Sequence, residues 1–180
     1  FSRIRCVYAT GVLLIYADNK SAQINLTKEI ALRGIDPSRL IFGKRLPKLE
    51  YLARYRVADL FLDTQPYNAG ATASDALRMG LPVLTLEGNS CNSREAASVI
   101  SALNLPELIT TTLEEYESLA IELATDPEKL KIIKDKLMGN LSTAPLYDTS
   151  LFARNLESAY SMMYDRYQRG LDPDHIYVKH

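Results

Sequence analysis

Between Gly70 and Asp75 the chain reads Gly-Ala-Thr-Ala-Ser-Asp, a run of little side-chain bulk that closes on a carboxylate. It follows the apolar run Leu60-Phe61-Leu62, which ends at Asp63-Thr64, and it leads into a helix read over residues 73–79 that Gly80 and Pro82 stop. Small residues at a strand-to-helix turn let a ligand approach the backbone. The first N–H groups of the helix lack intrahelical partners, and the positive end of its dipole stands behind them. A diphosphate fits that chemistry. Asp75, about one turn into the helix, is placed to accept a hydrogen bond from a sugar hydroxyl. The same residues also have an ordinary reading. Every βαβ unit needs small residues at a tight turn, and Thr72-x-x-Asp75 fits a capping box in which both side chains merely satisfy helix-end donors. Residue types alone leave both open.

The elements that must position this run alternate as a parallel sheet requires. Residues 12–16 read as a buried strand. Residues 21–33 read as a helix with Ala22, Leu26 and Ile30 on one face and Gly34 as its stop. Then come a strand at 40–42, a helix at 48–57, a strand at 60–62, the helix after Gly70, a strand at 83–86, a helix at 92–103 and a short strand at Leu108-Ile109. Beyond that the pattern is helical. Leu113, Tyr116, Ala120 and Leu123 form one stripe. Asp126-Pro127 starts the next helix as cap and first residue, followed by Leu130, Ile133, Leu137 and Leu141. A last helix over 150–168 carries Phe152, Leu156, Ala159, Met163 and Tyr167. The expected fold is α/β, a Rossmann-like doubly wound parallel sheet with extra C-terminal helices. In such a sheet the ligand crevice lies beyond the carboxyl ends of the strands. The loop Leu46-Pro47-Lys48-Leu49-Glu50-Tyr51 and the run from Gly70 to Asp75 both follow strands directly, so both open on that edge.

Other chemistry is thinly represented. His175 and His180 are the only histidines and both lie in the tail, which leaves no Ser-His-Asp or Cys-His arrangement. No metal-ligand cluster is visible. Cys91 stands near a helix start, where a thiol pKa can fall, but it equally reads as a small buried residue or a bystander. Arg94, in a first turn, reads as a partner for a local acid. Tyr160, Tyr164 and Tyr167 fall on one helix at packing intervals and read as core or as a surface that meets another part of the protein.

Composition sets the bounds. The chain has 180 residues, 47% of them hydrophobic, with 21 Lys and Arg against 22 Asp and Glu. That is enough for one domain with a core. The near-neutral balance gives no bulk-charge reason for a nucleic-acid or membrane-surface partner. Two cysteines, Cys6 and Cys91, do not make a disulfide or zinc framework, so a reducing cytoplasm is the expected setting. The apolar run at 11–17 is shorter than the ~20 residues a membrane span needs.

The segment LDTQPYNAGATASDAL resembles the donor-site segment of the O-GlcNAc transferase family and its bacterial and SPINDLY-like relatives. Further matches follow in the same order: Gly34-Ile35-Asp36-Pro37-Ser38-Arg39-Leu40-Ile41-Phe42, Leu46 to Tyr51, Gly80-Leu81-Pro82-Val83-Leu84-Thr85, Ser93-Arg94-Glu95-Ala96-Ala97-Ser98, Leu103-x-Leu105-Pro106-Glu107-Leu108-Ile109 and Ala144-Pro145-Leu146-Tyr147-Asp148. The resemblance runs from about Val12 to about His175. It implies the C-terminal, nucleotide-holding half of a GT-B glycosyltransferase that moves a sugar from a nucleotide diphosphate to Ser or Thr of proteins, with GlcNAc from UDP-GlcNAc as the expected donor. Residues 1–145 would be the nucleotide-sugar-binding Rossmann-like domain, its first strand missing. Residues 146–180 would be a helix and tail packing back toward an N-terminal half outside this chain, with helical TPR repeats further upstream in a bacterial protein.

The resemblance also implies site residues: Leu46, Lys48, Tyr51, Gly70, Ala71, Thr72 and Asp75. Pro47-Lys48 matches the segment lining the base and ribose side. The uracil-stacking histidine of the family falls on Tyr51, and its ribose-binding acid on Asp75. The animal enzymes' His-Thr-Thr falls on Gly70, Ala71 and Thr72, so the first two positions depart and leave backbone donation without one imidazole and one hydroxyl. The loop Glu87-Gly88-Asn89-Ser90 would border the donor sugar. The implied partners are a UDP-sugar donor, a protein or peptide acceptor and the rest of the same protein. No cofactor or metal is expected, no catalytic base is visible, and the stretch alone is expected not to catalyse transfer. Two other readings stay open: a relative with another donor or acceptor, such as GDP-fucose O-transfer or N-glucosylation of protein, and a degenerate Rossmann-like interaction module.

Overall fold

A computed structural model describes residues 11–178. Cys6, His180 and the first ten positions of the proposed 1–145 domain lie outside the described residues. The described chain alternates strand and helix as the periodicity requires. The order is β1 (Leu13–Tyr16), α1 (Lys20–Leu32), β2 (Leu40–Gly43), α2 (Lys48–Arg54), β3 (Phe61–Leu62), α3 (Ala71–Arg78), β4 (Val83–Leu86), α4 (Glu95–Ala102), β5 (Ile109–Thr110), α5 (Leu113–Thr125), α6 (Pro127–Leu141) and α7 (Thr149–Gln168). Every strand pairing is parallel. The hydrogen bonds form two ladders, β1–β2 and β3–β4–β5. One continuous sheet was expected. β3 spans only two residues and its ladder is with β4, pairing Phe61 with Val83 and Leu62 with Leu84.

The core sits around the second ladder. Val83, Leu84, Leu77, Ile100, Leu103, Leu105, Leu108 and Leu137 are fully enclosed, with Leu123 and Ile133 alongside. α3 and α4 can approach closely because they present Ala73, Ala76, Ala96 and Ala97 inward. Burying aliphatic side chains on this scale is the main stabilising contribution, about 1.5–3 kcal/mol for each large one. α3 stops where Gly80 takes φ 81°, the left-handed conformation that ends helices. α5 opens on a capping box, Thr112 with Glu115, and α6 on Asp126, which accepts from Lys129 N ahead of Pro127.

Two sequence expectations change, and one open pair of readings is narrowed. β1 is half exposed, with Leu14 and Tyr16 turned outward, because no element of the described chain covers its second face; it is not a buried strand. α7 buries none of its residues, so of the two readings of Tyr160, Tyr164 and Tyr167 the core one is excluded and the surface one is kept. Of the α5 stripe, Leu113 is exposed while Tyr116, Ala120 and Leu123 are buried, as a first-turn residue overhangs the core edge. Helix boundaries also shift. The 48–57 helix tightens to a 3₁₀ turn at Tyr55–Val57, and the helix read from 92 begins at Glu95 because Ser90 to Ser93 form a hydroxyl-braced turn.

Candidate functional site

The loops after β2, β3 and β4 all leave the carboxyl ends of their strands. Each leads into the N-terminus of a helix: α2, α3 and α4 respectively. The β3–α3 loop is the most tightly held, and its anchor is Asp63. This residue is buried (6% exposed) directly after β3. Its Oδ1 accepts from Thr64 N and Ala69 N, both at 2.8 Å, and its Oδ2 accepts from the Thr85 hydroxyl at 2.7 Å. Its carbonyl accepts from the Tyr116 hydroxyl at 2.9 Å. Burial raises the Asp63 pKa, and the bonds from Thr85, Ala69 and Thr64 partly offset that rise. One carboxylate thus ties the loop to β4 and delivers the chain to Gly70.

Asn68 adds a second tie. Its amide Nδ2 donates to Thr64 O at 2.9 Å, and its backbone N–H donates to Asn92 O at 3.0 Å, joining this loop to the β4–α4 loop. Its Oδ1 is buried without a hydrogen-bond partner. The β4–α4 loop is braced by Gly88 N to Ser93 O at 2.9 Å. A Cβ at Gly88 would come within 2.5 Å of Ser93 Oγ, so the close approach needs glycine there. Gln65 Nε2 also donates to Leu86 O. Glu87, Asn89 and Ser90 are exposed on this loop.

Gly70 is the N-cap of α3, and Ala71 and Thr72 are its first two residues. Among the described residues no side chain caps this terminus and its first turn holds no acid, so the N–H groups of the exposed residues Ala71 and Thr72 are left without side-chain partners, while Ala73 behind them is buried. The capping-box reading of Thr72 and Asp75 therefore fails. Asp75 lies one turn in, beyond reach of the cap, and its carboxylate turns across the crevice to Lys48. Lys48 Nζ donates to Asp75 Oδ2 at 2.7 Å, with Lys48 64% exposed and Asp75 26%. Lys48 Nζ also stands 5.0 Å from the centroid of the Tyr51 ring. Arg54 stands 5.6 Å from the same ring. The Tyr51 hydroxyl meets the Tyr55 hydroxyl at 2.5 Å, and burial and that contact push the Tyr55 phenol well above its ordinary pKa.

Of the seven residues expected at the site, Lys48, Tyr51 and Asp75 thus meet directly, and Gly70, Ala71 and Thr72 form the helix entrance beside them. Leu46 lies half-buried in the loop just ahead of α2 and brings backbone and apolar surface only. Cys91 is exposed, and Arg94 is the exposed N-cap of α4. His175 is exposed in the tail, near Tyr177. Among the described residues no group of three His, Cys, Asp or Glu is placed to hold a metal ion. No described helix is long and apolar enough to cross a membrane.

Sequence reasoning missed Asp63, Asn68 and Tyr147. Tyr147 donates to Ser74 O at 2.9 Å and stacks beneath Arg78, holding α3 at its middle from the far C-terminal segment. For Asp63 there was a usable signal: an acid at the end of an apolar strand, followed by Thr, is suited to bind loop N–H groups. Nothing in the sequence pairs position 74 with position 147.

What this arrangement can do is bind an anion on the α3 entrance and hold polyhydroxylated groups against a cation, a carboxylate and an aromatic face. The pattern of Glycosyl transferase family 41 matches residues 7–156. The chain is 35% identical over 152 residues to the UDP-N-acetylglucosamine–peptide N-acetylglucosaminyltransferase of Caenorhabditis elegans, covering 84% of this chain and 13% of that protein. It is 35% identical over 149 residues to the probable enzyme SEC of the same description in Arabidopsis thaliana, covering 82% of this chain and 15% of that protein. A solved structure of a mutant Thermobaculum terrenum O-GlcNAc transferase superposes with a TM-score of 0.82 at 31% identity, over 91% of this chain and 32% of that one. The chain therefore spans a small part of the length of these relatives.

Proposed function

The chain belongs to glycosyl transferase family 41, and from that membership we propose that it is the donor-binding part of a glycosyltransferase that moves N-acetylglucosamine from UDP-GlcNAc to Ser or Thr of proteins. The observation that carries this reading is the uncapped α3 entrance beside the Lys48–Asp75–Tyr51 cluster. The diphosphate would sit on the backbone donors of Ala71 and Thr72. Those dipoles are fixed before reaction, so they would stabilise the charge that grows on the leaving nucleoside diphosphate as the anomeric bond breaks. Lys48 would add positive charge, Tyr51 would stack on the base, and Asp75 would hold the ribose and so orient the donor. This arrangement needs no divalent metal. The attacking hydroxyl and its base would come from the acceptor and from elsewhere in the full-length protein, so the chain alone would bind donor without turning it over. The cysteine usage fits a cytoplasmic setting, and the short span against its relatives fits a protein with further domains, TPR repeats among them.

One observation favours a second donor. Gly70 and Ala71 lack the imidazole and hydroxyl that the animal enzymes carry there, which removes side-chain contacts to a UDP-sugar and leaves GDP-fucose in play. Calorimetric titration of the full-length protein with UDP and GDP tests both readings. UDP preference with transfer of GlcNAc to protein supports the first. GDP preference replaces it with the second, and no binding of either overturns the donor-site reading.

A further inference from the structure

We infer that Glu95 biases the crevice toward a nucleotide sugar and against the free nucleoside diphosphate, easing release of product; the inference rests on the donor-site reading above. Glu95 is the first residue of α4, yet its carboxylate lies against the N-cap of α3. A Cβ at Gly70 would stand 2.9 Å from Glu95 Oε2 and 3.2 Å from Oε1. Glycine at position 70 therefore leaves the room that the Glu95 carboxylate fills. The carboxylate is exposed, and among the described residues no cation pairs with it. Its nearest acidic counterpart on α3, Asp75, is already neutralised by Lys48.

The charges on the two ligands differ at the atom that matters. In a nucleotide sugar the outer phosphate is a diester carrying one negative charge. Once the sugar leaves with the acceptor oxygen, the same phosphate becomes a terminal group with a second ionisation near pH 6, so at neutral pH it carries close to two. A fixed carboxylate beside the α3 entrance repels the second form more than the first. Each unit charge about 5 Å away in a water-like medium is worth about threefold in affinity at about 0.01 M salt, where screening over that distance is slight. An acid placed beside an anion seat thus loosens donor modestly and product strongly.

The test is calorimetric titration of the full-length protein and its Glu95→Gln, Glu95→Asp and Asp75→Ala variants with UDP and with UDP-GlcNAc. Glutamine keeps the shape of an exposed side chain, and a thermal melt verifies the fold. At about 0.01 M salt, Glu95→Gln is expected to tighten UDP about tenfold and UDP-GlcNAc about threefold. Glu95→Asp, which keeps the charge, is expected to retain the wild-type ratio of the two affinities. An equal shift for both ligands, no shift, or weaker binding in Glu95→Gln overturns the inference. If Asp75→Ala abolishes UDP binding while Glu95→Gln leaves both affinities alone, the donor-site reading stands and the role of Glu95 falls. If neither ligand binds any variant, both fall.

Discussion

Asp75→Ala separates binding from stability more cleanly than any other change. Among the described residues its carboxylate has one partner, Lys48 Nζ at 2.7 Å, and Lys48 is mostly exposed. Exposed ion pairs contribute about 0–1 kcal/mol. Loss of such a pair lowers the melting temperature of a domain of this size by no more than about 2–4 °C. No helix cap is lost, because Asp75 does not reach the α3 terminus. Binding should suffer far more. A hydrogen bond from a sugar hydroxyl to an ionised acceptor is worth about 1.5–3 kcal/mol, or about 10- to 150-fold in Kd. Asp75→Asn keeps an acceptor oxygen and should fall between. Lys48→Ala frees the carboxylate, so the double variant should show less than additive loss, since the two residues touch. Calorimetry with UDP and a thermal melt of each variant decide the matter. Full UDP affinity in Asp75→Ala, or a large drop in melting temperature with affinity intact, would refute the assignment of Asp75 to the ribose.

Further outcomes follow from the loop and the helices. Asp63→Ala strands Thr64 N, Ala69 N and the Thr85 hydroxyl, so it should cost at least about 2–4 kcal/mol of stability in a denaturant titration. Asp63→Asn keeps the oxygen facing both N–H groups and should cost about 1 kcal/mol or less at neutral pH. The Asp63 pKa is raised in the fold, so the native state binds the proton more readily. The wild-type advantage over Asp63→Asn should therefore grow as pH falls through the range just above the ordinary carboxylate value and shrink as pH rises; melts across that range read it. Leu77→Ala, at a fully buried core position on α3, should cost about 2–5 kcal/mol. Replacing Tyr164 and Tyr167 by Lys on the exposed face of α7 should leave the melting temperature unchanged and reduce self-association of the chain in sedimentation, because that face packs on nothing among the described residues.

The parts of the fold legible in the sequence are those whose cause is local. Asp126-Pro127 shows as a helix start because cap and first residue sit side by side, and the structure has the cap bond to Lys129 N. Gly80 shows as a stop because its positive φ is a local demand. Val83 to Leu86 shows as a strand because it is a short run, apolar but for Thr85, and it is buried from Val83 through Thr85. β1 misled for the converse reason. Its residues are as apolar as those of β4, but burial is set by what covers a strand, and nothing in the described chain covers one face of β1. The same holds for α7, whose helical stripe of Phe152, Leu156 and Met163 is a true periodicity that nothing among the described residues buries. Periodicity reports what a segment can bury and not where.

At the site the division is sharper. The turn from Gly70 to Asp75 was legible because small residues and a helix entrance are neighbours in the chain. The roles of its members were not. Thr72 and Asp75 satisfy the spacing of a capping box, yet the backbone starts α3 at Ala71 and carries Asp75 past the terminus. A two-residue shift in a helix start thus turns a cap into a cross-crevice ion pair with a lysine 27 positions away. Asp63, 22 positions from Thr85 and 53 from Tyr116, and Glu95 against Gly70 are the same kind of fact. Each joins loops from different strands, and a parallel sheet brings such loops to one edge whatever their separation in sequence. Chemistry at that edge is assembled from residues no local pattern can pair. Glycine at position 70 therefore has to be read together with position 95, and the two positions should be varied as a unit.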